Sequence, residues 1–221
     1  MELSLSRRQT IQLAVAVAGG WAASTVLTQH GPIGREVSDS DASSAILNAP
    51  NPISSGSVDA SVHLAVFSDY RCPACRRSFP EMEAAVAADG DVLVIYKDWP
   101  IFGPSSEHAA RVALATVGQG IYPAVHRSLM SDNRIIDDAM LRDTVERAGG
   151  DWRRVQRYMA DYSGAISTQL RQNREQAFSI GLTGTPGYLA QHYSVLGALD
   201  RGGFARLFKQ VRRAETNGGI T

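Results

Sequence analysis

The chain has 221 residues, of which 44% are hydrophobic and 20% are charged. These values are typical of a globular protein with one large domain, and they exclude a wholly disordered chain and a multi-span membrane protein. Basic and acidic side chains balance at 22 each, which argues against a polyanion-binding class. We therefore expect no nucleic acid among the partners.

Residues 1–30 have the features of an export signal or an N-terminal anchor. Arg7 and Arg8 precede a stretch, Gln9 to Gly34, that contains no acidic residue, lysine or arginine. Its apolar part, roughly 11–27, is interrupted by small polar residues, so it is short for a membrane span and suits a signal peptide. The arginine pair is typical of the twin-arginine route, and a Sec signal or an uncleaved anchor is the alternative. We expect a periplasmic or otherwise extracytoplasmic protein.

The next segments predict a lead-in followed by a βαβ unit. Residues 31–61 are rich in serine, aspartate and proline, so we expect an irregular lead-in. The apolar runs Val62–Ser68 and Asp91–Tyr96 predict buried strands. Between them, Pro73 to Ala88 predicts a helix, and a strand–helix–strand unit of this kind has parallel strands.

The pattern then becomes helical over 105–180, with Asp137 and Asp151 as expected N-caps. After this insertion the sequence predicts two short strands and a closing amphipathic helix, at 187–190, 193–196 and 204–213. The strand-bearing parts are thus 62–104 and 181–214, and residues 215–221 form a tail.

The two cysteines, Cys72 and Cys75, lie three positions apart at the predicted helix N-terminus. There the unpaired N–H groups and the helix dipole favour a thiolate at Cys72, the attacking species in disulfide exchange. Cys75, one turn inside the helix, would resolve the mixed disulfide, and Pro73 suits the first helical position. No second CxxC or histidine spacing indicates a metal site, and Arg76 stands where covalent haem attachment needs histidine.

Three segments, Phe67–Cys75, Tyr96–Gly103 and Gly181–Gly187, occur in the order found in a known family. Together they resemble the DsbA-like thioredoxin-fold thiol:disulfide oxidoreductases, in the branch that includes DsbA, Com1 and ScsC proteins. The resemblance implies an α/β fold class: a thioredoxin fold, 62–104 and 181–214, with an inserted helical domain, 105–180.

The resemblance also implies roles for particular residues. Pro186 would form a cis peptide bond and pack against the CxxC motif, and the backbone of Thr185 would pair with an extended substrate peptide. Pro73 and Ala74, between the cysteines, would contact the substrate. The redox group would be the Cys72–Cys75 disulfide itself, with no other cofactor.

The sequence departs from the family's pattern at two positions. Many relatives carry a buried acid six residues before the first cysteine, where this chain has Val66. Ala74 can neither carry a charge nor donate a side-chain hydrogen bond, so the strongly oxidising behaviour of relatives with Pro-His is not assumed. Trp99 and Phe102 are expected in the core. The pair formed by residues 97 and 98 is either a solvated strand end or a group that polarises the active site.

These features predict an exported thiol:disulfide oxidoreductase that acts as a disulfide donor. Its partners would be cysteine-containing exported proteins and a membrane redox partner, either a DsbB-like oxidase or a DsbD-like reductase. The alternatives are a disulfide reductase or isomerase, a copper(I) site formed by two soft thiolates, and a redox-inert peptide-binding module.

Overall fold

The computed structural model of the protein describes residues 31–38 and 40–218. The described residues from Ile33 onward belong to one compact unit. The predicted export signal, 1–30, lies outside the described residues. Within the two described ranges, no helix is both long enough and apolar enough to cross a membrane.

A mixed sheet forms the centre of this unit. In the described residues its six strands are β1 (Arg35–Glu36), β2 (Ser54–Ser55), β3 (Val62–Ser68), β4 (Val92–Asp98), β5 (Gly187–Ala190) and β6 (Tyr193–Leu196). Their order across the sheet is β1-β6-β5-β3-β4-β2. Strands β3 and β4 are parallel, and every other neighbouring pair is antiparallel.

Helices surround the sheet on both faces. The described ranges contain α1 (Ser40–Leu47), α2 (Pro73–Asp89), α3 (Pro104–Ala115), α4 (Tyr122–Ser131), α5 (Asp138–Arg147), α6 (Trp152–Asp161), α7 (Ser163–Ser179) and α8 (Arg201–Gly218). A short 3-10 helix, Val117–Gln119, separates α3 from α4.

The predicted βαβ unit is present with parallel strands. Strand β3 has the predicted bounds, whereas β4 begins one residue later than predicted and continues to Asp98. Helix α2 begins directly after Cys72 and ends at Gly90, whose positive φ of 75° suits the left-handed C-cap position. The unit therefore places the first cysteine at the end of the β3–α2 loop, above the carboxyl edge of the two central strands.

Strand β3 is buried on both faces, and its side chains alternate between two apolar cores. Leu64 and Val66 belong to the core that α2 and α8 help to form. Ala65 and Phe67 belong to a second core that includes residues of α1 and α7. The layers on both sides of the sheet hold the β3–α2 junction in place.

The expected irregular lead-in, 31–61, is more ordered than predicted. It contains α1, which buries Ile46 and Leu47, and two short edge strands. Strand β1 pairs with β6 and β2 pairs with β4 through two residue pairs each. The rest of the described segment is irregular. The edge strands were not predicted because backbone pairing at a sheet edge needs no apolar period in the sequence, and the partner strands lie far away along the chain.

The helices of the insertion, residues 104–179, do not form a separate core. Their buried residues join the same apolar cluster as α2 and α8, as Val112, Val125, Leu141 and Val155 show. The expected N-caps are present, since the side chains of Asp137 and Asp151 accept backbone N–H bonds of α5 and α6. The predicted inserted domain is therefore a layer of one compact unit.

The tail predicted at 215–221 starts later than expected. Helix α8 continues to Gly218, so the residues that follow Arg213 extend the predicted amphipathic helix by more than a turn. Thr216 supports this extension, since its hydroxyl donates to the backbone oxygens of Arg212 and Arg213. Pattern alone did not reveal it because the last turn carries few apolar residues.

Candidate active site around Cys72 and Cys75

The two cysteines lie at the first turn of α2. Cys72 is the N-cap residue, and its Sγ accepts a 3.3 Å hydrogen bond from the backbone N–H of Cys75. Pro73 occupies the first turn, where its missing N–H leaves no donor unpaired. Both thiols are free in this structure and nearly buried, with 2% and 3% of each residue exposed. The helix start therefore holds a sulfur where a capping oxygen usually lies.

A loop from the far end of the chain covers Cys72. The Thr185–Pro186 peptide bond is cis, and the Cys72 thiol donates a 3.3 Å hydrogen bond to the Thr185 carbonyl oxygen. Strand β5 starts directly after this loop and pairs antiparallel with β3, with Gly187 opposite Phe67. Because β3 leads into the cysteines and β5 leads out of the loop, this pairing brings the two segments together.

The two thiols have opposite acidities. The pKa of Cys72 is lowered to about 6, mainly because the Cys75 thiol donates to its thiolate, and burial partly opposes this effect. The Thr185 hydroxyl and the N–H groups of Ala74 and Cys75 lower it further. The pKa of Cys75 is raised far above its usual range, first by that same bond to Cys72 and then by burial. Near neutral pH the reduced pair thus holds one thiolate and one thiol.

Asp69 fixes the loop that faces the cysteines. Its buried carboxylate accepts backbone N–H bonds from Ile101 at 2.6 Å, Phe102 at 3.0 Å and Arg71 at 2.7 Å. The Ser106 hydroxyl donates a fourth bond to it. A single carboxylate thereby joins the residues before Cys72 to the segment between β4 and α3.

A buried polar cluster lies beneath the start of α2. The Tyr70 hydroxyl is 2.9 Å from Nδ1 of His126, and the Tyr122 hydroxyl donates a 2.8 Å bond to Oδ2 of Asp98. Burial raises the pKa of Asp98 to about 7 and lowers the pKa of His126 to about 3. The cluster is therefore largely neutral near pH 6, which suits groups that are shielded from water.

A second polar contact joins α2 to the strand that follows the cis-proline. The Tyr188 hydroxyl donates to Ser78 Oγ at 2.9 Å. That Oγ donates in turn to the Leu199 carbonyl at 2.7 Å and accepts from the Leu199 N–H at 3.0 Å. Tyr188 is two residues after Pro186, so this contact fixes β5 against the helix that carries both cysteines.

The predicted site residues fall into one region. Pro186 is buried and Thr185 half-buried beside Cys72, whereas Pro73 is exposed and Ala74 half-buried on the first turn of α2. Val66 is buried in the apolar core below them, so the acid that many relatives carry at this position has no counterpart there. The structure thus brings together all the residues that the resemblance had placed at the site.

Two expectations about the β4 end need correction. Trp99 is in the core as expected, but Phe102 is 44% exposed because the loop held by Asp69 turns it outward. Lys97 and Asp98 are both buried, so they do not form a solvated strand end. Strand β4 lies between β3 and β2 with helices packed nearby, which is why charged residues at its end are shielded.

Sequence reasoning missed Asp69, Tyr70 and His126. A signal existed for Asp69, because an aspartate whose side chain bonds the N–H two residues later is a common turn former. The contribution of His126 had no local signal, since the histidine lies on α4 and reaches the site only through tertiary packing. In the two described ranges, no group of three or more histidine, cysteine or acidic side chains could hold a metal ion.

Comparison with known proteins places this geometry in a family. The sequence-family model of the DSBA-like thioredoxin domain matches residues 63–209, which is more than half of the chain. A thioredoxin-like oxidoreductase from Silicibacter pomeroyi DSS-3 is similar, with 31% identity, a TM-score of 0.71, and coverage of 78% of this chain and 97% of that one. The catalytic domain of Proteus mirabilis ScsC gives 26% identity, a TM-score of 0.66, and coverage of 76% and 94%.

One curated relative is much longer than this chain. The Na(+)/H(+) antiporter NhaA 3 of Salinispora tropica is 25% identical over 135 residues, which is 60% of this chain and 20% of that protein. This chain therefore spans about a fifth of the length of the curated relative that it matches. The family model and the two solved structures agree on the fold and the chemistry, and the chain belongs to the DsbA-like thioredoxin-fold family of thiol:disulfide oxidoreductases.

Proposed function

We propose that this chain is an exported disulfide donor that oxidises cysteine pairs in other proteins through its Cys72–Cys75 disulfide. The observation that carries the proposal is the opposite shift of the two thiol pKa values, to about 6 for Cys72 and far upward for Cys75. Stabilising a thiolate stabilises the reduced form, and a protein whose reduced form is stabilised is a strong oxidant.

The reaction consists of two exchanges. A substrate thiolate attacks Sγ of Cys72, the Cys72–Cys75 bond breaks, and Cys75 leaves with the electron pair and takes up a proton. The second substrate thiolate then attacks the substrate sulfur of the mixed disulfide, and Cys72 leaves as a thiolate. The substrate loses two electrons and its two thiol protons and gains a disulfide. Cys75 takes up one of these protons, and the other goes to solvent because Cys72 remains a thiolate.

The shift at Cys72 suits the oxidising direction. Cys72 is a good leaving group because its thiolate is stabilised by the Cys75 thiol, the Thr185 hydroxyl and the helix start. The raised pKa of Cys75 comes first from its bond to Cys72 in the reduced pair, which the mixed disulfide lacks, so it does not set a direction. The stabilised Cys72 thiolate is what favours oxidation over reduction at this site.

Substrate positioning would come from Thr185 and Pro186. The Thr185 carbonyl faces Cys72 Sγ at 3.3 Å, so an extended peptide that pairs with the Thr185 backbone would carry its own sulfur to the same point. Pro73 and Ala74 would contact the peptide from the first turn of α2. The two sides of this cleft would thus hold the reacting sulfur between them.

The test is the reduction potential of the cysteine pair, measured by equilibration with glutathione. We expect a value between about −200 mV and about −120 mV, the oxidising end of the range for thioredoxin-fold proteins. A value near that of thioredoxin, about −270 mV, would contradict the disulfide-donor role and favour a reductase. Cys72→Ser should abolish the oxidation of dithiol peptides, whereas Cys75→Ser should accumulate mixed disulfides.

Export is a separate part of the proposal and rests on the sequence of residues 1–30. A dithiol outside the cytoplasm can be kept oxidised, as a disulfide donor requires, by a membrane oxidase. The test is the location of the full chain in cell fractions, compared with a chain in which Arg7 and Arg8 are both lysine. Loss of export in that variant would support the twin-arginine route, whereas unchanged export would point to Sec.

A further inference from the structure

A basic groove runs beside the cysteine pair. It lies between the start of α2 and the end of α4, has a volume of about 590 Å³, and is lined by Arg71, Pro73, Arg76, Arg77 and Asn133 among others. A second groove of about 370 Å³ shares Arg71, Arg76 and Asn133 with it. A continuous surface therefore leads away from the residue next to Cys72.

The three arginines, Arg71, Arg76 and Arg77, carry charges that no carboxylate neutralises within the described residues. Arg71 bonds the Phe102 carbonyl and the Ser105 hydroxyl, each at 3.1 Å. Arg76 bonds the Asp132 backbone carbonyl and Asn133 Oδ1. These bonds use one terminal nitrogen of each guanidinium, so most of the N–H donors on both side chains are left for a ligand.

Of the three arginines, Arg77 has the guanidinium that is most available to a ligand. It is exposed, and its guanidinium forms no hydrogen bond or ion pair with any described residue. By contrast, the carboxylate of Asp132 at the groove's edge is already bound to Arg134 at 2.6 Å. Neither groove has an aspartate or a glutamate among its described lining residues. The surface beside the cysteines therefore has an unbalanced positive charge.

The position of the groove relative to Cys72 indicates what it would hold. Pro73, which lines it, follows Cys72 directly, and Arg76 lies one helical turn from that cysteine, with its N–H bonded to the Cys72 carbonyl at 3.1 Å. An extended chain advances about 3.3 Å per residue. A peptide whose sulfur meets Cys72 thus reaches the arginines within a few residues of its own cysteine.

We propose that this groove binds an acidic segment next to the reacting cysteine of the substrate protein. The inference rests on the proposed disulfide exchange and adds to it the substrate class, namely cysteine pairs flanked by aspartate or glutamate. Guanidinium groups have the opposite charge to carboxylates, and the two planar groups can join through two parallel hydrogen bonds. The groove is of a size typical of binding sites.

The experiment uses three peptides that differ only beside their cysteine pair, which is flanked by glutamate, glutamine or lysine. The oxidised full chain should oxidise them in the order glutamate, glutamine, lysine, with about a tenfold difference in kcat/KM between the first and the last, as expected for a few exposed Arg–carboxylate pairs. The ratio of kcat/KM for the glutamate peptide to that for the lysine peptide should fall towards unity as salt approaches 1 M, where the Debye length is about 3 Å.

Charge reversal in the groove provides the decisive variant. Arg77→Glu removes two units of positive charge while Arg71 and Arg76 stay positive, so the preference for the glutamate peptide over the lysine peptide should fall towards unity. Arg153→Glu is the matched control, because Arg153 is an exposed arginine at the start of α6 that lines neither groove. This control variant should keep the wild-type size of the preference.

The outcomes separate this inference from the function on which it rests. If the wild type oxidises all three peptides equally, or if Arg77→Glu keeps the glutamate preference at its wild-type size, the acidic-substrate inference is overturned and disulfide donation stands. If the wild type oxidises none of them, the proposed function itself fails. A wild-type preference that is unaffected by salt would also overturn the inference, since it would not be electrostatic.

Discussion

The thiol of Cys72 lies 3.3 Å from the carbonyl oxygen of Thr185, although 113 residues separate the two in the chain. The contact joins the start of α2 to the cis-proline loop that precedes β5. It is made possible by the antiparallel pairing of β3 with β5, in which Gly187 lies opposite Phe67. The Thr185 side chain of the same loop lowers the pKa of Cys72, so the acidity of this thiol depends on the other end of the fold as well as on its own helix.

The first prediction concerns the titration of the Cys72 thiol. In the reduced protein, absorbance of the thiolate near 240 nm should rise with a midpoint near pH 6, because the Cys75 thiol donates to that thiolate. Cys75→Ala removes the donor and should move the midpoint upward by about one unit or more, whereas Cys75→Ser, which retains a donor, should move it less. Equal midpoints in the two variants would show that the Cys75 bond does not set the acidity of Cys72.

The second prediction concerns the Thr185 side chain. Its buried hydroxyl has no hydrogen-bond partner in the described structure while Cys72 is a thiol, and it lowers the pKa of Cys72 because it can donate to the thiolate. Thr185→Val keeps the shape and removes the donor, so the Cys72 midpoint should rise by about one unit. Thr185→Ser is the matched control and should keep the wild-type midpoint. An unchanged midpoint in the valine variant would leave the lowered pKa to the Cys75 thiol and the helix start alone.

The third prediction concerns Asp98 and the pH dependence of stability. Burial raises the pKa of Asp98 to about 7, so between about pH 4 and pH 7 the folded state holds a proton that the unfolded chain releases. This group therefore makes the free energy of unfolding fall as pH rises through that window. His126 acts in the opposite sense, because burial lowers its pKa to about 3 and the unfolded chain binds the extra proton between about pH 3 and pH 6.5.

Asp98→Asn should remove this aspartate effect and leave the opposing effect of His126. The free energy of unfolding of this variant should increase between pH 4 and pH 6.5 more steeply than that of the parent, by up to about 1.4 kcal/mol per pH unit. The measurement is urea unfolding at several pH values in a background in which both cysteines are serine, so that no thiol titrates. If parent and variant have parallel pH profiles, Asp98 does not hold a proton in the folded state near neutral pH.

The fourth prediction concerns the carboxylate of Asp69. Asp69→Ala would leave the N–H groups of Ile101, Phe102 and Arg71 without their acceptor. We expect a loss of about 3 kcal/mol in the free energy of unfolding, since each unsatisfied buried donor costs about 1–3 kcal/mol. Asp59→Ala is the control: Asp59 is exposed, and its replacement should change stability by less than about 0.5 kcal/mol. A small effect at Asp69 would mean that water replaces the carboxylate at these groups.

Much of the local structure followed from the sequence. Strands β3, β5 and β6 have their predicted bounds because each is a short run of residues suited to a buried sheet between clear turn signals. The helix that starts after Cys72 was predicted from Pro73 and the apolar residues that follow it. Asp137 and Asp151 were predicted as caps because an aspartate before a helical run can accept the first free N–H groups. All of these signals act within a few residues along the chain.

The sequence by itself determined which two thiols can pair, since two cysteines three positions apart at a helix start can form a disulfide with each other in any fold that keeps the helix. Only the tertiary structure decided their surroundings. The contact of Cys72 with Thr185, the burial of Asp98 and the outward turn of Phe102 all depend on which strands and helices become neighbours. Acidity and exposure reflect the local dielectric and the hydrogen-bond partners in space, and these are set by packing between segments that lie far apart in the chain.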